Sequence, residues 1–229
     1  MKIHLSIVLM VIAGHCFGQF AIVDDPDGSA NVRQKPDIGS KIEDTLHSGH
    51  FVYCMETQGN WINVDFDSKR LGLNGYLYRD RLKLISTFES IPLTQNETDM
   101  GTVLAKDSIS ISLTTQKVAK GKYRYSYFKQ NPTQIELVDG KQYFGRDGDA
   151  PTKEYRSIII RLGSRTIELP RIALANLFEP SLFHSKANYD RQNDILYISS
   201  ENSDGAGGYE VVWRVEKGVY TDRYIAYGF

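Results

Sequence analysis

Cysteine is scarce in this chain, with two among 229 residues. Cys16 lies in an apolar N-terminal segment, so Cys54 is the single cysteine of the chain that follows it. Small secreted domains held together by disulfides need several cysteine pairs, and that class is excluded. Cys54 comes two residues after Val52, on the same face of a predicted strand. This spacing indicates a buried thiol that packs as a small apolar side chain rather than a nucleophile.

An excess of charge of either sign is also lacking. The chain has 27 basic and 28 acidic residues, for a net charge of -1. Residues 20–85 carry 10 acidic and 8 basic side chains, and residues 86–229 carry 18 of each. Proteins that bind nucleic acid or anionic lipid normally present a basic face. The balance therefore predicts neither of these partners, and at most a peripheral association with a membrane.

The residue sets that most hydrolases need are missing as well. After residue 101 there is no cysteine and a single histidine, His184. A cysteine peptidase needs a Cys–His pair, a zinc amidase typically needs two or more histidines, and no Gly-x-Ser-x-Gly nucleophile elbow occurs. A glycosidase needs only two carboxylates, so this class stays open. The sequence otherwise predicts no catalytic residue, no metal site and no cofactor.

The only long apolar run is at the N-terminus. Lys2 precedes an almost wholly apolar segment at residues 3–13, and Gly18 supplies a small residue for cleavage. This pattern predicts a signal peptide over residues 1–18 and export to the periplasm or cell envelope. A lipid anchor on Cys16 is the alternative, which His15 disfavours because a small residue normally precedes a lipidated cysteine. No other segment has the roughly 20 apolar residues of a membrane-spanning helix.

Short alternating strands separated by glycine turns fill residues 20–85. The pattern predicts strands at 41–46, 51–57, 61–66 and 75–78. Closely spaced short strands of this kind are typical of a small barrel.

Three motifs in this region carry a family resemblance. They are Asn31-Val32-Arg33 shortly before Pro36, then Gly59-Asn60-Trp61, then Gly75-Tyr76-Leu77. In their order and spacing, residues 22–85 resemble the bacterial Src-homology-three (SH3-like) domain of the cell envelope. Two positions depart from the family pattern, because Lys35 replaces the usual glycine before the proline and Tyr76 replaces a tryptophan-like aromatic. The resemblance implies a barrel of five or six strands that binds peptidoglycan or an envelope protein without catalysis.

Aromatic side chains are the candidate ligand-binding residues of this barrel: Tyr53, Trp61, Tyr76 and Tyr78. Aromatic rings give a large contact area at low entropic cost and suit peptide or sugar faces. Trp61 has the alternative of filling the mouth of the barrel as a core residue. Tyr76 and Tyr78 are two positions apart and must share a face, which is either a binding groove or the core.

The rest of the chain divides into a linker at residues 86–101 and a second β-rich domain at residues 102–229. Two hairpins are predicted in it, one turning at Asp139-Gly140 and one at Gly163-Ser164. A helix is predicted at residues 170–178, and a closing antiparallel meander is predicted at 195–199, 209–216 and 220–227, with the glycine-rich stretch 202–210 between its first two strands. The residue pattern of this last part is similar to that of small uncharacterised secreted bacterial proteins, and this resemblance implies no activity.

The prediction is an exported, all-β, non-catalytic binding protein. Its SH3-like barrel (residues 20–85) binds cell-wall peptide or protein, and its C-terminal domain, with one short helix, binds an unidentified partner. A periplasmic inhibitor or immunity protein directed against a toxin or lytic enzyme is one alternative, and a glycan hydrolase is another. The sequence makes no prediction about oligomeric state.

Overall fold

The chain forms an all-β fold with one short helix. A computed structural model describes residues 18–94, 98 and 100–228. Cys16 and all of the predicted signal peptide except Gly18 therefore lie outside the described residues. Within them, the helix is α1 (Arg171–Leu174) and eighteen strands occur. The strands are β1 Gln19–Val23, β2 Ser29–Arg33, β3 Ile42–His47, β4 Phe51–Gln58, β5 Trp61–Phe66, β6 Leu73–Tyr78, β7 Leu82–Leu84, β8 Glu89–Ile91, β9 Gly101–Lys106, β10 Ile109–Lys117, β11 Tyr125–Phe128, β12 Asn131–Val138, β13 Lys153–Leu162, β14 Arg165–Glu168, β15 Ser185–Asp190, β16 Ile195–Asn202, β17 Tyr209–Glu216 and β18 Val219–Tyr227.

These strands form four antiparallel sheets. The N-terminal sheet has seven strands in the order β3-β2-β6-β5-β4-β1-β7. The C-terminal part has a five-stranded sheet, β18-β17-β16-β15-β8, and a four-stranded sheet, β14-β13-β10-β9. The fourth is the two-stranded hairpin β11-β12.

The N-terminal sheet wraps around its own core. All seven strands place a side chain in one cluster, which includes Val32, Val52, Cys54, Val64 and Leu77. A flat sheet cannot bring residues from all its strands into one cluster, so the sheet must curve; it has seven strands, whereas the family resemblance implied five or six. Val52 and Cys54 lie on the same face of β4, as their spacing predicted.

The five- and four-stranded sheets pack face to face over a second core. Side chains that alternate along β17, such as Val211, Trp213 and Val215, meet Ile111, Ile158 and Ile160 of the four-stranded sheet. Trp213 is fully buried, and its indole N–H donates to the carbonyl oxygen of Ala173 at 2.7 Å. That hydrogen bond satisfies the ring N–H and holds α1 at the edge of the core.

A third cluster joins the N-terminal sheet to the opposite face of the five-stranded sheet. Phe20, Phe51 and Tyr53 contact Tyr197, Val212 and Tyr224 there. Two of the aromatic contacts are edge to face, between Phe20 and Tyr224 and between Phe51 and Tyr197, with ring centroids 6.0 and 6.1 Å apart. The five-stranded sheet is therefore covered on both faces, once by the N-terminal sheet and once by the four-stranded sheet.

Residues 86–101 are not the structureless linker that was predicted. Strand β8 pairs with β15, and Ile91 is buried in the C-terminal core. Leu93 then forms a bridge with Leu104. Ile91 and Leu93 pack against the second core, Phe88 packs against the cluster of Phe51 and Tyr197, and β8 completes the edge of the five-stranded sheet.

The predicted helix at residues 170–178 is shorter than expected. It starts after Pro170, as the sequence indicated, but ends at Leu174. Asn176 has a positive φ of 62°, which a continuing helix cannot accommodate. Leu177 and Phe178 are instead buried, and the Phe178 amide donates to the carbonyl oxygen of Phe144.

Of the two predicted C-terminal hairpins, one is confirmed. Strands β13 and β14 pair around Gly163, and β16, β17 and β18 form the predicted meander. The turn at Asp139-Gly140 also forms, but the expected return strand does not, because β12 pairs with β11. His184 is exposed, as predicted. None of the helices within the described residues is long and apolar enough to cross a membrane.

Burial of Cys54 gives a testable prediction. The side chain has 0% exposure, so its thiol should react with a maleimide at least about a hundredfold more slowly in the native protein than in urea, because labelling requires local opening. The variant Ser126→Cys, at an exposed position, should add one thiol that reacts at once. Rapid labelling of Cys54 in native protein would show that β4 is not held in the core.

Candidate functional site

The partly exposed aromatic residues of the N-terminal sheet lie together on the outer face of β5 and β6. Side chains alternate along both strands, so that every second residue enters the core and the others face outwards. The outward set, which we call the aromatic–amide face, consists of Trp61, Asn63, Asn74, Tyr76 and Tyr78. Trp61 is therefore not a core residue, and Tyr76 and Tyr78 share a face that is distinct from the core.

Strand register places the two largest rings of this face in contact. Trp61 is opposite Tyr78 across the β5–β6 pair, and the two ring centroids are 5.2 Å apart at an interplanar angle of 90°. Edge-to-face contact of this kind is the favoured arrangement for aromatic pairs. The side-chain amide of Asn60 also donates to the Tyr78 hydroxyl at 2.9 Å. The ring pair is thus held in one orientation before any ligand arrives.

The amide side chains form a ladder beside the rings. Asn63 and Asn74 exchange two hydrogen bonds, at 3.1 and 2.8 Å, and Asn74 donates a further bond to the Asp65 carboxylate at 2.7 Å. These bonds use both amide hydrogens of Asn74 but only one of the two on Asn63. Among the described residues, the second amide hydrogen of Asn63 has no hydrogen-bond partner, which leaves a donor beside the aromatic rings.

Gly75 explains why β6 can approach β2 closely at this face. A Cβ atom at Gly75 would lie 2.4 Å from Cγ1 of Val32 and 3.0 Å from the carbonyl oxygen of Arg33. Any other residue would therefore push the two strands apart. Arg33 is the residue opposite Tyr76 in the register, so this contact fixes the edge of the aromatic–amide face.

Tyr53, the fourth predicted ligand-binding residue, does not join the other three at an exposed surface. It is 3% exposed and lies in the cluster between the N-terminal sheet and the five-stranded sheet. Its ring packs edge to face against Phe20, with centroids 5.2 Å apart. A ligand cannot reach this ring unless the interface opens, so Tyr53 has a structural position.

Tyr53 makes a hydrogen bond across this interface to a carboxyl group. Its hydroxyl donates to Glu210 of β17, a short contact within the buried cluster. Burial raises the pKa of Glu210 above its usual range, and the bond from Tyr53 opposes this effect without cancelling it. Burial, together with the bond to Glu210, also raises the pKa of Tyr53. The phenol is therefore the donor throughout the neutral range.

Arg214 lies on the same face of β17 as Glu210 and makes a second polar contact across the interface. It donates to the carbonyl oxygen of Gly49 at 2.7 Å, and its guanidinium lies 4.8 Å from the centroid of the Phe51 ring. It also forms an ion pair with Asp222 of β18. A cavity of about 300 Å³ adjoins these groups and is lined in part by His47, His50 and Asp67. Its lining is mixed in charge and favours no ligand class.

Sequence reasoning left a carboxylate pair open for a glycan hydrolase. Glu179 and Asp204 both line a cavity of about 450 Å³ that adjoins His184, where Glu179 is already paired with Arg146, so this alternative stays a prediction. Glu201 and Glu210 are opposite each other in the register, and Glu201 helps to raise the pKa of Glu210. Neither Glu201 nor Glu210 lines that cavity or the cavity of about 300 Å³ at the interface. Glu210 is engaged by Tyr53, so the pair does not face an open cleft. No three His, Cys, Asp or Glu side chains of the described ranges come together as a metal site.

No protein-family model matches the chain, and no curated protein or solved structure is significantly similar to it. The resemblance to the bacterial SH3-like domain therefore stays a prediction from motifs, and the function has to be argued from the chain's own geometry.

The raised pKa of Glu210 predicts a distinctive pH dependence. A carboxyl group whose pKa is higher in the folded state contributes stability below its unfolded pKa of about 4.3, and that contribution is lost as the pH rises through the folded pKa. Glu210→Gln removes this titration. The free energy of unfolding of the variant should therefore rise relative to that of the wild type between pH 4 and pH 7, as measured by urea unfolding at each pH.

The exposed carboxyl group of Glu136 provides the matched control, and Glu136→Gln should show no comparable trend. If the Glu210→Gln variant instead lost stability relative to the wild type as the pH rose, the hydrogen bond from Tyr53 would outweigh burial, and the assigned direction of the pKa shift would be wrong.

Proposed function

We propose that the protein is an exported, non-catalytic binding protein whose aromatic–amide face binds a cell-wall peptide or an envelope protein. The observation that supports this most directly is the placement of Trp61, Tyr76 and Tyr78. All three are held outside the core, on one face, and remain partly exposed. Large aromatic residues in a small domain are normally buried, so a shared exposed face of three favours binding.

The chemistry of the face suits a peptide or peptide-like ligand. Rigid aromatic rings supply contact area with few side-chain torsions to immobilise, and the free donor of Asn63 suits a backbone carbonyl or a hydroxyl. Arg33 at one edge and Asp65 at the other give the face charges of both signs. Such a surface matches the alternating amide and charged groups of a peptidoglycan stem peptide better than a uniformly charged polymer.

A co-sedimentation assay with purified insoluble peptidoglycan tests the proposal, using residues 19–229. We expect the wild type to pellet. Trp61→Ala and Tyr78→Ala should each weaken binding by about thirtyfold, the loss typical of a central aromatic anchor worth about 2 kcal/mol. Tyr127→Ala, which truncates an exposed tyrosine outside the face, should leave the bound fraction unchanged.

Thermal unfolding of each variant shows whether the fold is retained; Trp61 and Tyr78 are only partly buried and lie outside the core, so we expect it to be. If the wild type fails to pellet, the wall ligand is wrong. A protein retained from periplasmic extract by the wild type but not by Trp61→Ala would then favour an envelope protein, an inhibitor or an immunity role. Release of soluble fragments from the peptidoglycan would contradict the non-catalytic assignment.

A further inference from the structure

The hairpin formed by β11 and β12 projects from the C-terminal part of the fold. All eight consecutive residues from 126 to 133 are exposed. The register is irregular at the tip, since Tyr127 is opposite Ile135 and the next residue, Phe128, is opposite Asn131. Residues 132–134 of β12 therefore have no partner on β11 and widen the tip, which no other strand of the described residues covers.

The base of this hairpin is fixed, so the tip has a defined position. Ile135 and Val138 are buried with Phe178, and Tyr123 packs edge to face on Phe178 with ring centroids 5.3 Å apart. Tyr123 also donates to the buried carboxylate of Glu154. The tip is therefore presented on a rigid stem and is not part of a loose loop.

The approach to the hairpin carries an excess of basic charge, although β12 itself contains one exposed acidic residue, Glu136. No acidic residue occurs between Asp107 and Glu136, whereas five basic residues do: Lys117, Lys120, Lys122, Arg124 and Lys129. All five are exposed. Lys122 pairs with Glu154, and the other four form no ion pair within the part of the chain that the structure describes. The balanced charge of residues 86–229 hides this local excess.

Two aromatic side chains occupy the tip among these basic groups. Tyr127 is 47% exposed and Phe128 is 37% exposed. Neighbouring residues of a strand point to opposite faces, so the tip is aromatic on both sides. A protein interface covers one face of a strand, whereas the interfacial region of a bilayer surrounds an inserted tip. Aromatic rings at headgroup depth with lysine and arginine behind them fit such a region.

From the excess of basic residues beside the hairpin and the two-sided aromatic tip, we propose that the β11–β12 hairpin and its approach attach the protein peripherally to an anionic lipid bilayer. Tyr127 and Phe128 enter the interfacial layer, and Lys120, Arg124 and Lys129 contact anionic headgroups. This surface shares no residue with the aromatic–amide face. Failure of either proposal leaves the other standing.

Vesicle co-sedimentation with residues 19–229 tests the attachment. We expect binding to vesicles of phosphatidylcholine with 30% phosphatidylglycerol, weaker binding at high salt, and little binding to phosphatidylcholine alone. Lys120→Glu combined with Lys129→Glu should weaken binding by at least about thirtyfold, taking about fivefold for each basic residue near the surface. Lys35→Glu combined with Lys69→Glu, which reverses two exposed lysines elsewhere, should not exceed a few-fold loss.

Tryptophan fluorescence tests separately whether the aromatic tip enters the bilayer. Phe128→Trp should show a blue shift in tryptophan emission with anionic vesicles, and the wild type, with Trp61 and Trp213 only, should not. Tyr127→Ser combined with Phe128→Ser should reduce binding, whereas Phe183→Ser, at an equally exposed aromatic residue, should not. Equal vesicle binding by the hairpin and control variants would overturn the proposal. So would binding to a soluble polyanion, such as heparin, without binding to vesicles.

Discussion

Strand β4 is buried on both faces. Its contact with the five-stranded sheet buries Phe51 and Tyr53 on one face, and the core of the N-terminal sheet buries Val52 and Cys54 on the other. Each such large side chain contributes about 1.5–3 kcal/mol when it leaves water. The five-stranded sheet depends on this contact as well, because its second face would otherwise expose Tyr197 and neighbouring apolar residues. The two polar contacts, from Tyr53 and Arg214, fix the alignment of surfaces that apolar burial alone would leave free to slide.

Burial of β4 on both faces also explains which parts of the site could be predicted from the sequence. Trp61, Tyr76 and Tyr78 follow strict alternation, and their shared face could be derived from spacing. Tyr53 was grouped with them because a domain of this size was not expected to bury all four aromatic rings, but Tyr53 is on a strand that is covered on both faces. The run of four buried residues, 51–54, carries the signal that corrects this, since uninterrupted apolar residues are typical of a strand covered on both sides.

The elements that the sequence did not predict are those decided by partners distant along the chain. The turn at Asp139-Gly140 forms as local chemistry requires, yet β12 pairs with β11 because Ile135 and Val138 are buried against Phe178. A three-residue strand such as β8 is too short to show a periodic pattern in the sequence, and its position depends on the burial of Ile91 in the C-terminal core. Local propensity thus predicts turns and strand faces in this protein, whereas pairing depends on tertiary packing.

The docking of the sheets also determines which part of the outer face of the N-terminal sheet is buried in the interface and which part is exposed. Tyr53, Asp65 and Asn74 form one row across β4, β5 and β6 in the register. Tyr53 is covered by β17, but Asn74 in the same row is exposed. The five-stranded sheet therefore covers β4 and stops short of β6, and the aromatic–amide face begins where that cover stops. A ligand there would rest against rings whose strands are anchored on their other side by the core, so binding needs no rearrangement of the backbone.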